Sequence, residues 1–394
     1  MSLFNTINKN KNKIKMRILY FYPENPLLKN QGNNARALAL LNYFKSKDVT
    51  LDYVGINDSN FNYDDIEKLK KNKLINEGYL LKSLSRKKNQ LRYFFLHSLP
   101  RKIKNEFKDF NRTRFGQEKL FDEILSKNQY DFIIISYAYW SSLLKDSKHI
   151  KNSKLIIDTH DFLTSQFQRN KEFQLGKYFE KEIEILNKFD KVLVISSEEK
   201  FVFSQFIEKE VSIVTHALKE NFNEQETSKK YDIIYVASNN DHNIKSAKWF
   251  FSNVYPKLDK NLKICVVGRV ANHCIDGKNI HKIDFVEDLD AIYKDSKIAI
   301  CPMLTGTGLK IKVVEAMSFG IPIVCNERGV DGLLNKTNNG CLVTNNPEEF
   351  ANYIQKLSQD SVFYQIHSNN AKQFFMENHS ISNTYGKLDE VFKL

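Results

Sequence analysis

The chain has 394 residues, 42% hydrophobic and 27% charged, with a formal net charge of +12. That length exceeds one ordinary core of roughly 100–200 residues and predicts two domains, and the composition, with seven prolines, excludes a largely disordered or fibrous chain. No run reaches the roughly 18–20 consecutive apolar residues of a membrane helix, and the start (Lys9, Lys11, Lys13, Lys15) lacks a signal peptide's apolar stretch, so a cytoplasmic protein is expected.

Short apolar runs alternate with helical patterns, as in doubly wound parallel α/β sheets, and form two series. A flexible basic stretch covers 1–15. The first series, 16–218, has strands at 16–21, 50–54, 132–136, 154–158 and 191–195 and helices at 33–47 and 173–188; residues 60–125 interrupt it as a helical insertion. The polar stretch 219–230 has no apolar periodicity and predicts a linker. The second series, 231–365, has strands at 231–236, 263–267, 280–283, 298–301, 321–325 and 341–343 and helices at 243–254, 289–294, 310–319 and 347–358. The end, 366–394, is expected to be helical and to cross back to the first domain. The cysteines, Cys265, Cys274, Cys301, Cys325 and Cys341, lack metal-ligand spacing; three lie in apolar runs and read as reduced core thiols.

Between Lys82 and Lys119 twelve Lys/Arg face three acids. Arg86, Lys87, Lys88, Arg92, Arg101 and Lys102 are interleaved with Tyr93, Phe94, Phe95, Leu96, Leu99 and Ile103. The pattern suits an anionic membrane surface or nucleic acid, and equally a solvated helix face over a core stripe.

In doubly wound sheets ligands bind outside the carboxyl ends of the strands, where helix N-termini face an anion. The segment 302–322 has this form: a loop with Gly306 and Gly308 after a strand, then a helix carrying Lys310, Lys312 and Glu315. The glycines allow close approach of a phosphate, and the helix start adds roughly half a positive charge. Lys312 and Glu315, one turn apart, can share a face, one for a pyrophosphate and one for ribose hydroxyls. An ordinary surface helix with an ion pair fits the same spacing.

This segment, with Val236-Ala237-Ser238 upstream, Trp249-Phe250, Pro256, Val266-Val267-Gly268, the stretch 327–332, and Gly320 and Pro322 in a G-x-P turn, resembles the C-terminal domain of the GT-B glycosyltransferases of family 4. The likeness runs over 231–358 and is topological over the N-terminal half. It implies an α/β fold with two Rossmann-like domains facing across a cleft, the first binding an acceptor and the second a nucleotide-sugar donor. By that resemblance Glu315 holds the donor ribose, Gly306, Thr307 and Gly308 lie at the donor sugar and phosphates, and Lys310 or Lys312 contacts the diphosphate. Ser238, Lys245, Gly268, Arg269, Thr305 and Leu309 complete the donor set. Two departures stand out: Thr307 occupies the place of the family's first glutamate, and Asn239 that of an arginine, which leaves Lys310 to compensate.

In the N-terminal half, Gly32 and Asn33 follow the first strand and open a helix; a plain turn reads the same way, but in the family this loop faces the transferred group. His160 and Asp161 end a strand, a common place for acid–base groups, and with Lys312 and Glu315 they form the candidate catalytic set. Ser196-Ser197-Glu198 and Thr215-His216-Ala217 follow strands in the same way. Neither cofactor nor metal is expected, since Asp288-Leu289-Asp290 begins a helix. By the resemblance the expected reaction is retaining, metal-independent transfer to a glycan or lipid-linked acceptor, on the cytoplasmic side and in contact with the membrane, with no nucleic-acid partner. The alternatives are a catalytically inactive scaffold or binding protein of the same fold and a nucleotide-sugar epimerase.

Overall fold

The computed structural model describes residues 15–394 apart from 29–31, 104–106, 169, 223–228, 287 and 307. The basic stretch 1–15 thus lies, but for Lys15, outside the described residues. In chain order the first series comprises β1 (Met16–Phe21), α1 (Gly32–Lys45), β2 (Val49–Ile56), α2 (Tyr63–Lys71) and β3 (Glu77–Leu81). There follow α3 (Gln90–Tyr93), a π turn (Phe94–Ser98), α4 (Leu99–Ile103), α5 (Gln117–Leu125), β4 (Phe132–Ser136) and β5 (Lys154–Asp158). The series closes with α6 (Leu163–Phe167), α7 (Leu175–Leu186), β6 (Lys191–Val194), α8 (Ser197–Phe206) and β7 (Glu210–Ile213). Its seven strands order as β3-β2-β1-β4-β5-β6-β7.

The second series comprises β8 (Tyr231–Val236), α9 (Asp241–Trp249), β9 (Ile264–Val267), β10 (Ile280–Ile283), α10 (Leu289–Lys294), β11 (Ser296–Cys301) and α11 (Ile311–Ser318). Then come β12 (Ile323–Cys325), β13 (Cys341–Val343), α12 (Pro347–Gln359), α13 (Ser361–Asn378) and α14 (Ile381–Phe392). Six strands order as β10-β9-β8-β11-β12-β13 with parallel pairings, so crossover helices must cover both faces. Successive residues accordingly enter opposite cores: Ile234, Cys265 and Ala299 pack with Val314, Met317 and Phe375, while Ile233, Val266 and Ile298 pack with Phe250, Ile354 and Leu357. All five cysteines are free, and burial pushes the Cys265 and Cys301 thiols up to about 11, which suits packing and not nucleophilic chemistry.

The insertion expected to be helical throughout contains β3, paired in parallel with β2 from Asp52↔Glu77 to Ile56↔Leu81. Its two buried residues, Leu80 and Leu81, are too short an apolar run to stand out among helical neighbours. Edge strand β7 escaped for a similar reason, with Glu210 and Ser212 alternating with Val211 and Ile213.

The chain divides into two compact units, residues 1–28 with 40–156, and residues 29–39 with 157–394. This division differs from a break at 219–230, because bonds inside the second unit tie residues 197–218 to the C-terminal half. Ser197 Oγ donates to Leu333 O (2.9 Å), Gly332 N donates to Glu198 (3.0 Å), and Lys336 pairs with Glu198. The chain end returns to residues 215–218: Thr215 Oγ1 donates to Asn378 O (2.6 Å), and Leu218 N to His379 O (3.0 Å).

Candidate functional site

The loops after β8, β9 and β11 meet around the glycine-bearing segment. After β8 the chain turns into α9, whose N-cap Asn240 accepts from Asn243 N (2.9 Å). The buried Asn243 amide donates to Ser238 O (3.0 Å) and Oγ (3.1 Å), and its Oδ1 accepts from Lys312 Nζ (2.9 Å). One asparagine thereby fixes both the first loop and the lysine of α11. Gly268, after β9, has φ 101°, and a Cβ there would strike the Ala237 carbonyl oxygen, so these two loops touch backbone to backbone. After β11, Thr305 Oγ1 lies 2.7 Å from His242 Nδ1, and Gly306, at φ 99°, leaves its Cβ position 3.6 Å from the same imidazole.

Lys310, buried just before α11, turns back to donate to Gly308 O (2.7 Å). Lys312 lies one turn before Glu315, whose Oε2 accepts from Tyr293 Oη (3.2 Å); the Tyr293 ring is stacked on Phe319 at 5.1 Å. Burial lowers the pKa of both lysines and raises that of Glu315, against the pull of Tyr293 and Lys312 on the carboxylate. An incoming dianion beside Lys312 and the α11 start would reverse the lysine's penalty. Leu309 is buried under Gly332, where a Cβ would stand 2.7 Å from its Cα. Lys245 and Arg269 are exposed, on α9 and after Gly268. Thr307 lies outside the described residues.

A second polar group in the same unit surrounds the end of β5. Arg36, on α1, donates from Nε (3.0 Å) and Nη2 (2.5 Å) to Asp158 and from Nη1 to Val214 O (2.5 Å). His160, at φ 59°, sets Nε2 3.0 Å from Asp158 Oδ2. Burial alone would raise the Asp158 pKa, but Arg36 and His160 hold it well below the usual carboxylate range. Burial and the Arg36 charge press the His216 imidazole down to about 3, so it is neutral. His160 was expected as an acid–base group; its side chain is 0% exposed and faces Asp158, so it stands behind the surface in this conformation. Asp161 is half-buried beside it. Two buried carboxyls lie close by. Glu199 accepts from Thr159 Oγ1 (3.2 Å), and Glu182 from Thr164 N (2.7 Å) and Leu163 N (2.9 Å); burial pushes both up to about 7.

Gly32 lies against α11, where its added Cβ would overlap Ile311 Cδ1, and the half-buried Asn33 follows in α1. The structure thus brings Gly32 beside α11 and groups Ser238, Thr305, Gly306, Lys312 and Glu315. In the basic segment Arg86, Lys87, Lys88, Arg92 and Lys102 are exposed. Arg101 corrects the expectation of a free surface cation: its Nη2 donates to Thr113 O (3.0 Å) and Oγ1 (2.7 Å), fastening the segment from within. Sequence reading missed His242, Asn243 and Tyr293. The available signal was Asn240 three residues before Asn243, directly after a strand; nothing local marks Tyr293.

The model of the family described as glycosyl transferases group 1 matches residues 230–360. A 44.6 kDa protein of the cps region of Klebsiella pneumoniae is 25% identical over 299 residues, covering 68% of this chain and 75% of its own. A glycosyltransferase of Methanocaldococcus jannaschii is 25% identical over 307 residues, 68% of this chain and 76% of its own. Among solved structures, the sucrose-phosphate synthase of Thermosynechococcus elongatus superimposes with TM-score 0.68 at 12% identity, over 96% of this chain and 98% of its own. Anabaena HepE, solved with UDP-glucose, does so with TM-score 0.66 at 13% identity, over 96% and 99%. These solved structures show the fold, which is of the GT-B type. Over residues 230–360 the chain is similar to the group 1 glycosyltransferases, and the Methanocaldococcus relative extends the likeness to a glycosyltransferase beyond that stretch.

Proposed function

We propose that the protein moves a sugar from a nucleotide-sugar donor to a glycan or lipid-linked acceptor in surface polysaccharide biosynthesis, as a family 4-like enzyme that retains anomeric configuration without a metal. The carrying observation is the convergence of Ser238, Asn243, His242, Thr305, Lys312 and Glu315 around a glycine loop and a helix start. In this reading the acceptor oxygen bonds to the anomeric carbon as the bond from that carbon to the phosphate oxygen breaks. The acceptor proton passes to a phosphate oxygen of the departing nucleotide. The chief demand is stabilising the departing diphosphate, which Lys312 and the α11 N-terminus meet, while Glu315 accepts from ribose hydroxyls. Asp288, which caps α10, is spent on the fold. The Klebsiella relative's cps region and the UDP-glucose bound to HepE support the pathway and donor classes. Work on a lipid-linked acceptor places the enzyme at the inner face of a membrane.

A thermal-shift panel of UDP, GDP, dTDP and CMP with their sugars, on wild type and Glu315→Ala, tests the donor site. One nucleotide family should raise Tm in the wild type and not in the variant. A chain that binds none of them loses this reading.

A further inference from the structure

The stretch from Lys82 to Ile103 contains seven Lys/Arg and no Asp or Glu. Its inner side is fixed: the Tyr93 ring lies 5.6 Å from Phe115 and 5.1 Å from His97, and His97 lies 5.9 Å from Phe115. Arg86 stacks over Tyr93 at 4.2 Å, and Arg101 is held by Thr113. With Tyr93 and His97 turned inward, Leu91, Phe94, Phe95, Leu96 and Ile103 are left 51–75% exposed. Leu91, Phe94 and Phe95 have i, i+3, i+4 spacing, and Phe94 begins the π turn that precedes α4. Lys87, Lys88, Arg92 and Lys102 are exposed around them.

We propose that this face docks on an anionic bilayer, with Phe94, Phe95, Leu91 and Ile103 entering the interface and Lys87, Lys88, Arg92 and Lys102 meeting lipid phosphates. A surface helix of a globular protein turns such a stripe to its core; here the opposite stripe does that work, and the outward one has cations around it and no Asp or Glu within its own stretch, 82–103. Nucleic acid would use the cations and the two phenylalanines but gain nothing from Leu91, Leu96 and Ile103. The purpose of the surface, delivery of a lipid-linked acceptor, rests on the proposed function; its binding to lipid does not.

The test is flotation of the full chain with phosphatidylcholine vesicles, with and without phosphatidylglycerol, at low and high salt. Wild type should float with the anionic vesicles at low salt and much less at high salt. Lys87→Gln/Lys88→Gln/Arg92→Gln should weaken binding about 100-fold, from roughly a factor of five per cation near a charged surface. Phe94→Ser/Phe95→Ser should weaken it at least tenfold at unchanged charge, with the wild-type Tm and nucleotide shift retained as proof of folding. Absence of flotation at low salt, equal binding to neutral vesicles, or unchanged flotation of both variants overturns the proposal, as does displacement of the vesicles by a single-stranded oligonucleotide. Flotation without nucleotide binding would sink the enzymatic reading and leave the surface standing; nucleotide binding without flotation would do the reverse.

Discussion

Arg36→Met should be among the most destabilising single substitutions in the second unit. The guanidinium donates to both Asp158 oxygens and to Val214 O, with arginine and aspartate side chains 6% and 1% exposed. Removing one partner of such a pair strands a buried charge, at a cost of about 3–5 kcal/mol. At about 2–4 °C per kcal/mol for a unit of this size, the loss in Tm is on the order of 10 °C. The pH dependence should also shift. In the wild type the folded-state pKa of Asp158 lies below its ordinary value, so its stabilisation is complete above that ordinary value and is lost as pH falls through the folded one. Without Arg36 only His160 still opposes burial, so the Asp158 carboxyl rises from its wild-type position and the loss of stability toward acid begins at higher pH. Urea unfolding from pH 4 to 8 of the wild type, Arg36→Met, Asp158→Asn and the double variant reads both effects. The double variant should be milder than the sum of the singles, since it leaves no buried charge. Additive losses with parallel pH profiles would refute the account of an interdependent pair.

Glu199→Gln should abolish one source of alkaline destabilisation. Burial and then Asp161 push its carboxyl from 4.5 to about 7, so stability is lost as pH rises between those values, by about 3 kcal/mol. The variant should gain on wild type between pH 5 and pH 8 in urea midpoints, and identical profiles would count against it. If the proposed function holds, Lys312→Met should lower kcat of sugar transfer about 100-fold, measured as nucleotide release, by removing the cation assigned to the departing diphosphate; an unchanged kcat would move that role elsewhere. Gly268→Ala forces φ 101° on a side chain and drives Cβ into the Ala237 carbonyl oxygen, so about 3 kcal/mol of stability should go. Calorimetry showing an unchanged Tm would mean the two loops separate freely.

The central strands were legible because parallel strands covered on both faces are continuous apolar runs, as in Ile133, Ile134 and Ile135 of β4 or Cys265, Val266 and Val267 of β9. Edge strands β3 and β7 are mixed in character, and their pairing is decided by a neighbour far away in sequence. In the site, glycine positions and the Lys312–Glu315 spacing carried a motif that local reading could find. Tyr293 reaches Glu315 across 22 residues and Arg36 reaches Asp158 across 122, so no spacing rule could reveal either. His160 shows the opposite failure: its place at a strand end was visible, but its burial behind Asp158 depends on what packs over it.

The second unit is not continuous in sequence. Residues 29–39 leave their chain neighbours and group with residues beginning at 157. Arg36 is made early on the ribosome and has no partner until Asp158 emerges; closing that interval is a long-range step of the kind that slows folding. A fragment spanning 157–394, cut as though domains were consecutive stretches, would contain the loop at 302–310 but carry Asp158 buried without Arg36. Supplying residues 29–39 as a peptide, or permuting the chain to place them beside residue 157, is the way to obtain this half as a stable piece.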